Sequence, residues 1–566
     1  MVDPLPGLPP AALPVPASLD AISLPRARHA SEETFVNPVL DTGPGRDHGD
    51  PFVLRHAGRY YLYYTGSSGI EVWTGTDLTD WTRAGLALVA PDGDHWAQVD
   101  LWAPEVLYAD GWFHMYVTGT RRPAGGAATH AGAGVGVNDG DDQMRRQGVA
   151  SSRDPLGPFE FGDTPLLDVW SIDGHPFVDL DGRRWLFYNV RDDRTRYRGT
   201  VPGCGNLVDE LVTPRTLRGE PVPVALPDAP WEGSRSGEWY WNEGPTVLRR
   251  RGRYVQMYSG GWYGDASYGV GFAAADDPRG PWVKAPHNPV FVSGSRITGP
   301  GHHCVTTGPD GVTPYAVYHG YVDGRPGRKV HVDRLHWSTE GPRLGRGEMP
   351  GTPTESAQPL PDGPAHDPAV PYWHAELWVR AQRVQLGKVA VELPADRDVL
   401  VDVTLREQDV RVLVDGRLVV PRAQAGDAAR VALALVAGDA VDGEVRSLAL
   451  TSWREDEDLR VLAAGELLSV PWGGSLPVEL SLAVDGAAVV RLRDGDAIVA
   501  ERSVAGGDMP ELVRVRTGGR VDAVEVLAGP DGVLVSDLAL TARPRPVDVI
   551  TLRDPSAEIP GPRPAS

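Results

Sequence analysis

The chain has 566 residues, in which 55 Lys and Arg stand against 76 Asp and Glu, for a net charge of -21. One hydrophobic core does not support this length, so we expect at least two domains. With 41% hydrophobic and 23% charged residues, the composition excludes wholesale disorder. So acidic a surface repels phosphate backbones and anionic lipid, which argues against nucleic-acid and membrane partners. Composition leaves the oligomeric state open.

The start of the sequence is rich in proline. We interpret residues 1–30 as a leader with polyproline character. The first basic residue is Arg26, and prolines interrupt every apolar stretch, so the pattern is not that of a secretory signal. The sequence contains no run of about 18 apolar residues, so no transmembrane helix is predicted. These observations predict a cytoplasmic protein.

The two cysteines, Cys204 and Cys304, are too few for a disulfide framework or a cysteine-rich zinc site. A single bridge between them is the alternative to two free thiols. We expect two free, buried thiols, because unpaired cysteine behaves as a small apolar residue.

One pattern recurs five times over residues 31–345. Each copy has a short apolar strand, a turn that ends in glycine and an aromatic strand, which together form a hairpin signal. The turn glycines are Gly58, Gly111, Gly182, Gly252 and Gly311. Intervals of roughly 50 to 70 residues predict a five-bladed β-propeller. A β-sandwich is the weaker alternative, because sandwiches seldom repeat one hairpin motif.

The composition changes after the repeats. Residues 346–370 are rich in Pro and Gly and form a predicted linker. Residues 371–545 show strands of alternating polarity with Asp-Gly turns, which predict one large or two small antiparallel β-sandwiches. We expect this part to have a structural or pocket-completing role, and residues 546–566 to form a Pro-rich tail. The predicted fold class is therefore all-β, a five-bladed β-propeller followed by C-terminal β-sandwich domains.

Acidic residues occupy the start of the repeat in three copies. The first strand of each blade lines the axis of a propeller, so residues at one phase of the repeat converge there. Asp50, Asp173 and Glu243 each lie just before the first strand's Pro. The other residues near this phase are Trp102 and Glu105 in the second copy, and His302 and His303 in the fifth.

Each of these acids alone is an ordinary turn residue. A cluster of all three lowers the stability of the fold, because neighbouring carboxylates repel one another and lose hydration. Hydrolysis of a glycosidic bond needs such a set, with one carboxyl protonated to serve as acid and another ionised to activate water. A third acid raises the pKa of the first by repulsion. The pattern therefore predicts acid–base hydrolysis of a glycoside.

Five motifs occur in a fixed order along the propeller sequence: DPFVLRHAGRYYLYYTG, LWAPEVLYADGWFHMY, SIDGHPFVDLDGRRWLFY, NEGPTVLRRRGRYVQMYSG and GPGHHCVTTGPDG. Over about residues 35–340 the sequence with these motifs resembles glycoside hydrolase family 43 and its close propeller relatives. The resemblance implies cleavage with inversion. It implies Asp50 as general base, Glu243 as general acid and Asp173 as the residue that modulates the acid's pKa and orients it. It also implies that no cofactor is required, while in some members the residue matching His302 helps to hold a metal near the axis, often calcium.

Further residues are predicted to bind substrate. Trp102 and Trp241 adjoin the motif positions and suit stacking on a sugar ring. Arg296 precedes the fifth motif and is placed to donate to a sugar hydroxyl, with a surface salt bridge as the alternative. Glu105 and His303 complete the predicted set.

The function we predict is an inverting glycosidase that removes terminal α-L-arabinofuranosyl or β-xylosyl residues from oligosaccharides. Its acid and base carboxyls should then stand roughly 6.5 to 9.5 Å apart. The alternatives are a retaining fructosidase or a glycoside phosphorylase on the same propeller, and a non-catalytic sugar-binding propeller.

Overall fold

The structure, a computed structural model, describes residues 34–43, 45–121, 145–347, 349–507 and 509–544. The predicted Pro-rich leader and the tail from residue 546 lie outside these ranges. Within them the chain is almost entirely β-strand, so the predicted all-β class is confirmed. No helix in the described ranges is long and apolar enough to cross a membrane.

The repeats form the five blades that the sequence predicts. Blades 1 and 2 have four strands each, and these are Phe52–His56, Arg59–Tyr63, Gly69–Gly75 and Thr82–Val89, then Val99–Ala109, Trp112–Thr120, Arg145–Ser152 and Glu160–Phe161. Blade 3 contains Ser171–Val178, Arg184–Val190, Gly203–Thr213, Thr216–Leu217 and Val222–Ala225. Blade 4 contains Tyr240–Arg250, Arg253–Gly260, Gly269–Ala275 and Val283–Lys284. Blade 5 contains Ile297–Thr307, Pro314–Val322 and Arg325–Arg334.

The blades close into a ring. Each innermost strand contacts the innermost strand of the next blade, and that of blade 5 contacts that of blade 1. The segment before blade 1 completes blade 5, because Leu40 bridges to Val330 and the Asn37 side chain exchanges hydrogen bonds of 2.9 and 3.0 Å with the backbone of Val332. Both ends of the propeller sequence thus meet in one blade, which holds the ring closed.

Aromatic residues on the second strands fill the spaces between blades. Tyr60, Tyr116, Tyr188 and Tyr258 are at most 2% exposed. These tyrosines come from the aromatic strand of the repeat, so the pattern that identified the blades also builds their core. Cys204 and Cys304 are buried and free, as predicted.

Two small paired elements lie beside the propeller: Thr34–Phe35, which precedes blade 1, pairs with Gln358–Pro359, and His336–Ser338 pairs with Gly341–Arg343. A ten-stranded antiparallel sheet follows, whose strands are Tyr372–Leu386, Val389–Glu392, Val399–Arg406, Asp409–Val414, Arg417–Gln424, Val441–Asp456, Arg460–Leu462, Val478–Asp485, Glu511–Arg516 and Val533–Ala542. A four-stranded sheet contains Leu467–Gly474, Ala488–Asp494, Ala497–Val504 and Val521–Ala528. Two separate apolar cores result, one formed within residues 373–450 and the other by residues 462–542 together with Ala365 and Val370.

A helix, Ala428–Ala437, lies in the first of these cores, and the sequence analysis did not predict it. Its caps are clear. The Asp427 side chain accepts a hydrogen bond of 2.9 Å from the backbone N–H of Arg430, and Gly438 ends the helix in a left-handed conformation. Val431, Ala432 and Leu435 bury its apolar face against the sheet.

The C-terminal unit, residues 371–544, contacts the first hairpin of every blade. The contacts are His56 with the Trp378 ring (4.1 Å between centroids), Tyr108 Oη with the Asp398 carbonyl (2.9 Å), the Leu180 carbonyl with the Leu418 N–H (2.7 Å), Arg250 with Asp537 (2.9 Å), and the Asp310 carbonyl with Thr451 Oγ1 (2.6 Å). These hairpins form one face of the propeller. The unit therefore lies against that face.

Candidate active site

One backbone conformation recurs once in every blade, within the innermost strand or just before it. Asp50, Ala103, Asp173, Gly244 and His302 have φ of 56°, 44°, 58°, 55° and 44°. In blades 2 to 5 the pairing register shifts at this residue, which is therefore a β-bulge. Left-handed φ is costly for most side chains and least so for Gly, Asp, Asn and His. The conformation thus accounts for the recurrence of Asp, Gly and His at this phase.

The preceding blade holds these residues through their N–H groups. His319 Nδ1 accepts from Asp50 at 3.1 Å, Thr65 Oγ1 from Ala103 at 2.9 Å, Thr118 Oγ1 from Asp173 at 3.2 Å and Ser259 Oγ from His302 at 2.8 Å. Each acceptor comes from the second strand of its blade or directly follows it. Gly244 differs, since its N–H donates to Asp173 Oδ2 at 3.2 Å. A ring of contacts between blades therefore sets the position of every residue at this phase.

A cavity opens over this ring. Its lining residues are Asp50, Thr65, Trp102, Arg145, Trp170, Ile172, Asp173, Arg191, Trp239, Trp241, Glu243, Gly261, Trp262, Tyr263, His302 and Arg328. The three predicted acids thus meet in one hollow, although they lie in three different blades. All of the lining residues come from the propeller, so the described part of the C-terminal unit does not complete the cavity.

Asp50 is surrounded by cationic and polar groups. Arg328 Nη1 lies 2.9 Å from Asp50 Oδ1, His302 Nδ1 lies 3.2 Å from the same oxygen, and Thr65 Oγ1 donates to Oδ2. Burial alone would raise the pKa of Asp50, but the charge of Arg328 holds it well below its usual value. Burial lowers the pKa of His302 to about 4, so this imidazole is neutral at pH 7. Asp50 is therefore the ionised carboxylate of the site.

Glu243 is held by two neutral donors. Tyr268 Oη donates to Oε1 at 2.6 Å, and the indole N–H of Trp241 donates to Oε2. Burial raises the pKa of Glu243 to about 7, an effect that the charge of Asp50 increases and the Tyr268 hydrogen bond reduces. A carboxyl that is substantially protonated near neutral pH can deliver a proton.

Asp173 lies beside both of the other acids. Its Oδ2 is 3.9 Å from His302 Nδ1 and accepts the N–H of Gly244, which directly follows Glu243. Burial raises the pKa of Asp173 well above its usual value, and the charges of Glu243 and Asp50 add to this. The site thus contains one ionised carboxylate and a pair that resists losing its protons.

Aromatic side chains form much of the cavity wall. The guanidinium of Arg191 lies 5.1 Å from the Trp170 ring, 4.8 Å from Trp239 and 5.8 Å from Trp241. Arg145 lies 4.1 Å from the ring of Trp102. The predicted stacking candidates, Trp102 and Trp241, therefore both line the cavity, and Trp241 also contacts Glu243.

Three predicted substrate-binding residues are not among the lining residues, which corrects their predicted placement. Glu105 lies two residues beyond the bulge, and its Oε2 is 2.7 Å from Nδ1 of His175 in blade 3. His303 is 2% exposed and packed inside the propeller. Arg296 is exposed, and its backbone N–H donates to Glu355 at 2.6 Å. Glu105 is therefore engaged by His175, His303 is enclosed in the propeller, and Arg296 lies outside the cavity.

A metal held by His302 does not fit the donors present. The described residues contain no group of three or more His, Cys, Asp or Glu side chains that could hold a metal ion. His302 Nδ1 is 3.2 Å from Asp50, which makes this nitrogen part of the carboxylate's surroundings. We therefore derive no step from a metal.

Several residues of the site carry no recognisable signal in the sequence. Arg328 lies in the third strand of blade 5, where the repeat has no motif, and Asp47, which also went unnoticed, pairs with it at 2.6 Å. Tyr268 and His319 act from behind the cavity. One repeated position could have indicated the contacts between blades. It lies near the end of each second strand and is occupied by a polar residue, namely Thr65, Thr118, Asn189, Ser259 and His319.

Comparison with known proteins gives the following. The sequence model described as Glycosyl hydrolases family 43 matches residues 35–342. An alpha-L-arabinofuranosidase 43 of Humicola insolens is 30% identical, over 47% of this chain and 51% of its own length. An extracellular exo-alpha-(1->5)-L-arabinofuranosidase of Streptomyces avermitilis is 25% identical, over 54% and 62%. The chain therefore spans about half to two thirds of the length of these relatives. The solved structure of a thermostable family-43 glycoside hydrolase is 33% identical, over 58% of this chain and 100% of that one, with a TM-score of 0.48.

The relatives overturn the predicted cytoplasmic location. The Streptomyces avermitilis protein is extracellular by name, and so are relatives from Streptomyces chartreusis and Bacillus subtilis. These names point to a secreted enzyme. The prediction rested on the lack of a recognisable secretory pattern in residues 1–30, and that lack was no guide to the location.

Proposed function

The chain belongs to the glycosyl hydrolases of family 43, and from that premise we propose that it removes terminal α-L-arabinofuranosyl or β-xylosyl residues from oligosaccharides with inversion. Family membership confirms the predicted resemblance and the predicted class of enzyme, a glycosidase. The pentose preference is supported by the names of the Humicola insolens and Streptomyces avermitilis relatives, which are both arabinofuranosidases.

The observation that supports the proposal is that one carboxyl of the cavity is ionised while another keeps its proton. Asp50 is held ionised beside Arg328, while burial raises the pKa of Glu243 to about 7. One hollow thus contains a base and an acid ready for use at the same pH, as hydrolysis of a glycoside requires.

In the proposed reaction, Asp50 takes a proton from water as the water oxygen attacks the anomeric carbon. Glu243 gives its proton to the departing oxygen, which keeps the electrons of the broken C–O bond. Asp173 modulates the pKa of Glu243, because in this coupled pair the ionisation of either carboxyl disfavours that of the other, and its Oδ2 accepts the N–H of Gly244, which orients the strand that carries Glu243.

Two substitutions test the assignment. We expect Asp50→Asn and Glu243→Gln each to lower kcat on an arabinofuranosyl oligosaccharide by about 10²- to 10⁴-fold, the usual contribution of a general acid or base. Glu238→Gln is the matched control, because Glu238 is an exposed acid of the same region outside the cavity. Full hydrolysis by either cavity variant would contradict the assignment. Sugar binding with no turnover by the wild type would indicate a binding module instead.

A further inference from the structure

The two oxygens of Glu243 face different surroundings. Oε2 accepts from Trp241, which lines the cavity. Oε1 accepts from Tyr268, which is 1% exposed and is not among the lining residues. Oε2 is therefore the oxygen on the substrate side, and Oε1 is the oxygen on the protein side.

The phenol of Tyr268 restricts where a proton can sit on Glu243. In the described part of the chain the only hydrogen bond from its hydroxyl goes to Oε1 of Glu243. In a protonated carboxyl the carbonyl oxygen accepts a hydrogen bond better than the hydroxyl oxygen does, so the buried Tyr268 O–H favours the form in which Oε1 is the carbonyl oxygen and the proton is on Oε2. A proton on Oε2 leaves the Tyr268 bond intact, because an indole N–H can still donate to the second lone pair of that oxygen.

Packing fixes the ring of Tyr268. It is parallel to the His319 ring, with 5.5 Å between centroids and 2° between planes. Gly301 leaves the space for it, since a Cβ at residue 301 would lie 2.4 Å from Cε1 of Tyr268. The phenol therefore approaches Oε1 from one fixed direction.

We propose that Tyr268 is a positioning residue that keeps the transferable proton of Glu243 on Oε2, where it faces the leaving group. This inference rests on the proposed role of Glu243 as general acid. In the step, the Oε2–H bond breaks, the proton joins the glycosidic oxygen and the C–O bond electrons stay on that oxygen. Glu243 is left as a carboxylate with Tyr268 on Oε1 and Trp241 on Oε2.

The groups around Glu243 predict in which direction the loss of the Tyr268 hydroxyl shifts the pKa of Glu243. The titratable and charged neighbours that influence it are Asp50, Asp173, Arg328, Tyr263, Tyr268 and Cys204. Tyr268 stabilises the ionised form, so removing its hydroxyl raises the pKa of Glu243. Because the acid must be protonated to act, the basic limb of kcat/KM then moves to higher pH.

The test compares Tyr268→Phe with wild type on two arabinofuranosides, one with a sugar and one with dinitrophenol as leaving group. We expect kcat on the sugar leaving group to fall about 10- to 100-fold, and kcat on dinitrophenol, which leaves without a proton, to change by less than about 3-fold. The basic limb should rise by about 1 pH unit. Tyr258→Phe is the control, a buried tyrosine of the same blade whose hydroxyl donates to Glu232 at 2.9 Å, outside the cavity.

Gly301→Ala, which pushes the same ring out of place, provides a second reading, and melting temperatures are measured for all variants. An equal loss on both leaving groups, or an unmoved basic limb, would overturn the inference and leave Tyr268 as a packing residue. If Glu243→Gln itself hydrolyses the sugar substrate at the wild-type rate, the proposed function fails, and this inference fails with it. A loss in Glu243→Gln with wild-type behaviour in Tyr268→Phe overturns this inference alone.

Discussion

Asp50 and Asp173 share one strained backbone conformation but have opposite electrostatic surroundings. A left-handed residue costs on the order of 1–3 kcal/mol, and here it aims the carboxylates into the cavity. Asp50 faces Arg328, whereas Asp173 faces Glu243 and a backbone N–H. The local partner, and not the type of residue, therefore decides which acid is ionised.

The first prediction concerns the proton on Glu243. The pKa of about 7 places the basic limb of the wild-type kcat/KM profile near pH 7, and activity falls as pH rises through it. Glu243 and Asp173 are a coupled pair in which the ionisation of either carboxyl raises the pKa of the other, so Asp173→Asn removes this repulsion, the pKa of Glu243 falls and the limb moves to lower pH. The measurement is the pH profile of both proteins.

The control for this prediction is Asp168→Asn. Asp168 is an acid whose side chain is 83% exposed and pairs with Arg146, so we expect its removal to leave the limb in place. A limb that stays near pH 7 in Asp173→Asn would show that Asp173 does not raise the pKa of the acid.

The innermost strands depend on the blade before them. Thr118 in blade 2 accepts the N–H of Asp173 in blade 3, and this contact fixes the bulge that carries the carboxylate. The bond therefore links stability to the geometry of the site.

Thr118→Val keeps the shape of the side chain and removes this acceptor. We expect a loss of about 1–3 kcal/mol, the usual cost of a buried donor left without a partner, together with a reduced kcat. Thermal unfolding and steady-state rates measure both effects. Thr82→Val, an exposed Thr of blade 1, should change neither. A destabilised Thr118→Val with wild-type kcat would contradict the link between the ring and the site.

At this scale the sequence predicts the hairpins well, because a glycine turn between short strands is a local feature. It predicts Asp50, Asp173 and Glu243 because they adjoin the repeated Pro or Gly. The prediction placed Glu105 in the cavity because it assumed that side chains alternate regularly along the strand. The bulge at Ala103 interrupts this alternation, and the Glu105 side chain contacts His175 instead. Arg328 and Tyr268 were missed because no repeated motif marks them. The helix Ala428–Ala437 was missed although Asp427 and Gly438 are recognisable caps.

The C-terminal unit and the cavity lie at opposite faces of the propeller. The C-terminal unit contacts the first hairpins of all the blades, whereas the cavity lies at the bulges, toward the other end of the same innermost strands. These are the two ends of the strands, so the unit lies on the face away from the site. We infer that it stabilises the propeller.

Trp378→Ala tests this role. The Trp378 ring contacts His56 and Tyr108 and is 4% exposed, so we expect a loss of about 3–5 kcal/mol in stability. KM and the pH profile, measured below the melting temperature, should remain those of wild type. Val419→Ala, at a residue 41% exposed, is the control and should melt as wild type does. A large change in KM for Trp378→Ala would show that the unit acts on the cavity.

The central claim is that acids from separate blades act on opposite sides of one sugar, with Asp50 activating water and Glu243 protonating the leaving group. Proton NMR of the sugar released in the first moments of cleavage tests this most directly, before the anomers equilibrate. The account predicts a product of inverted configuration, β-L-arabinofuranose from an α-L-arabinofuranoside. A first product that retains the α configuration would contradict it, because it would require a covalent intermediate on a carboxylate.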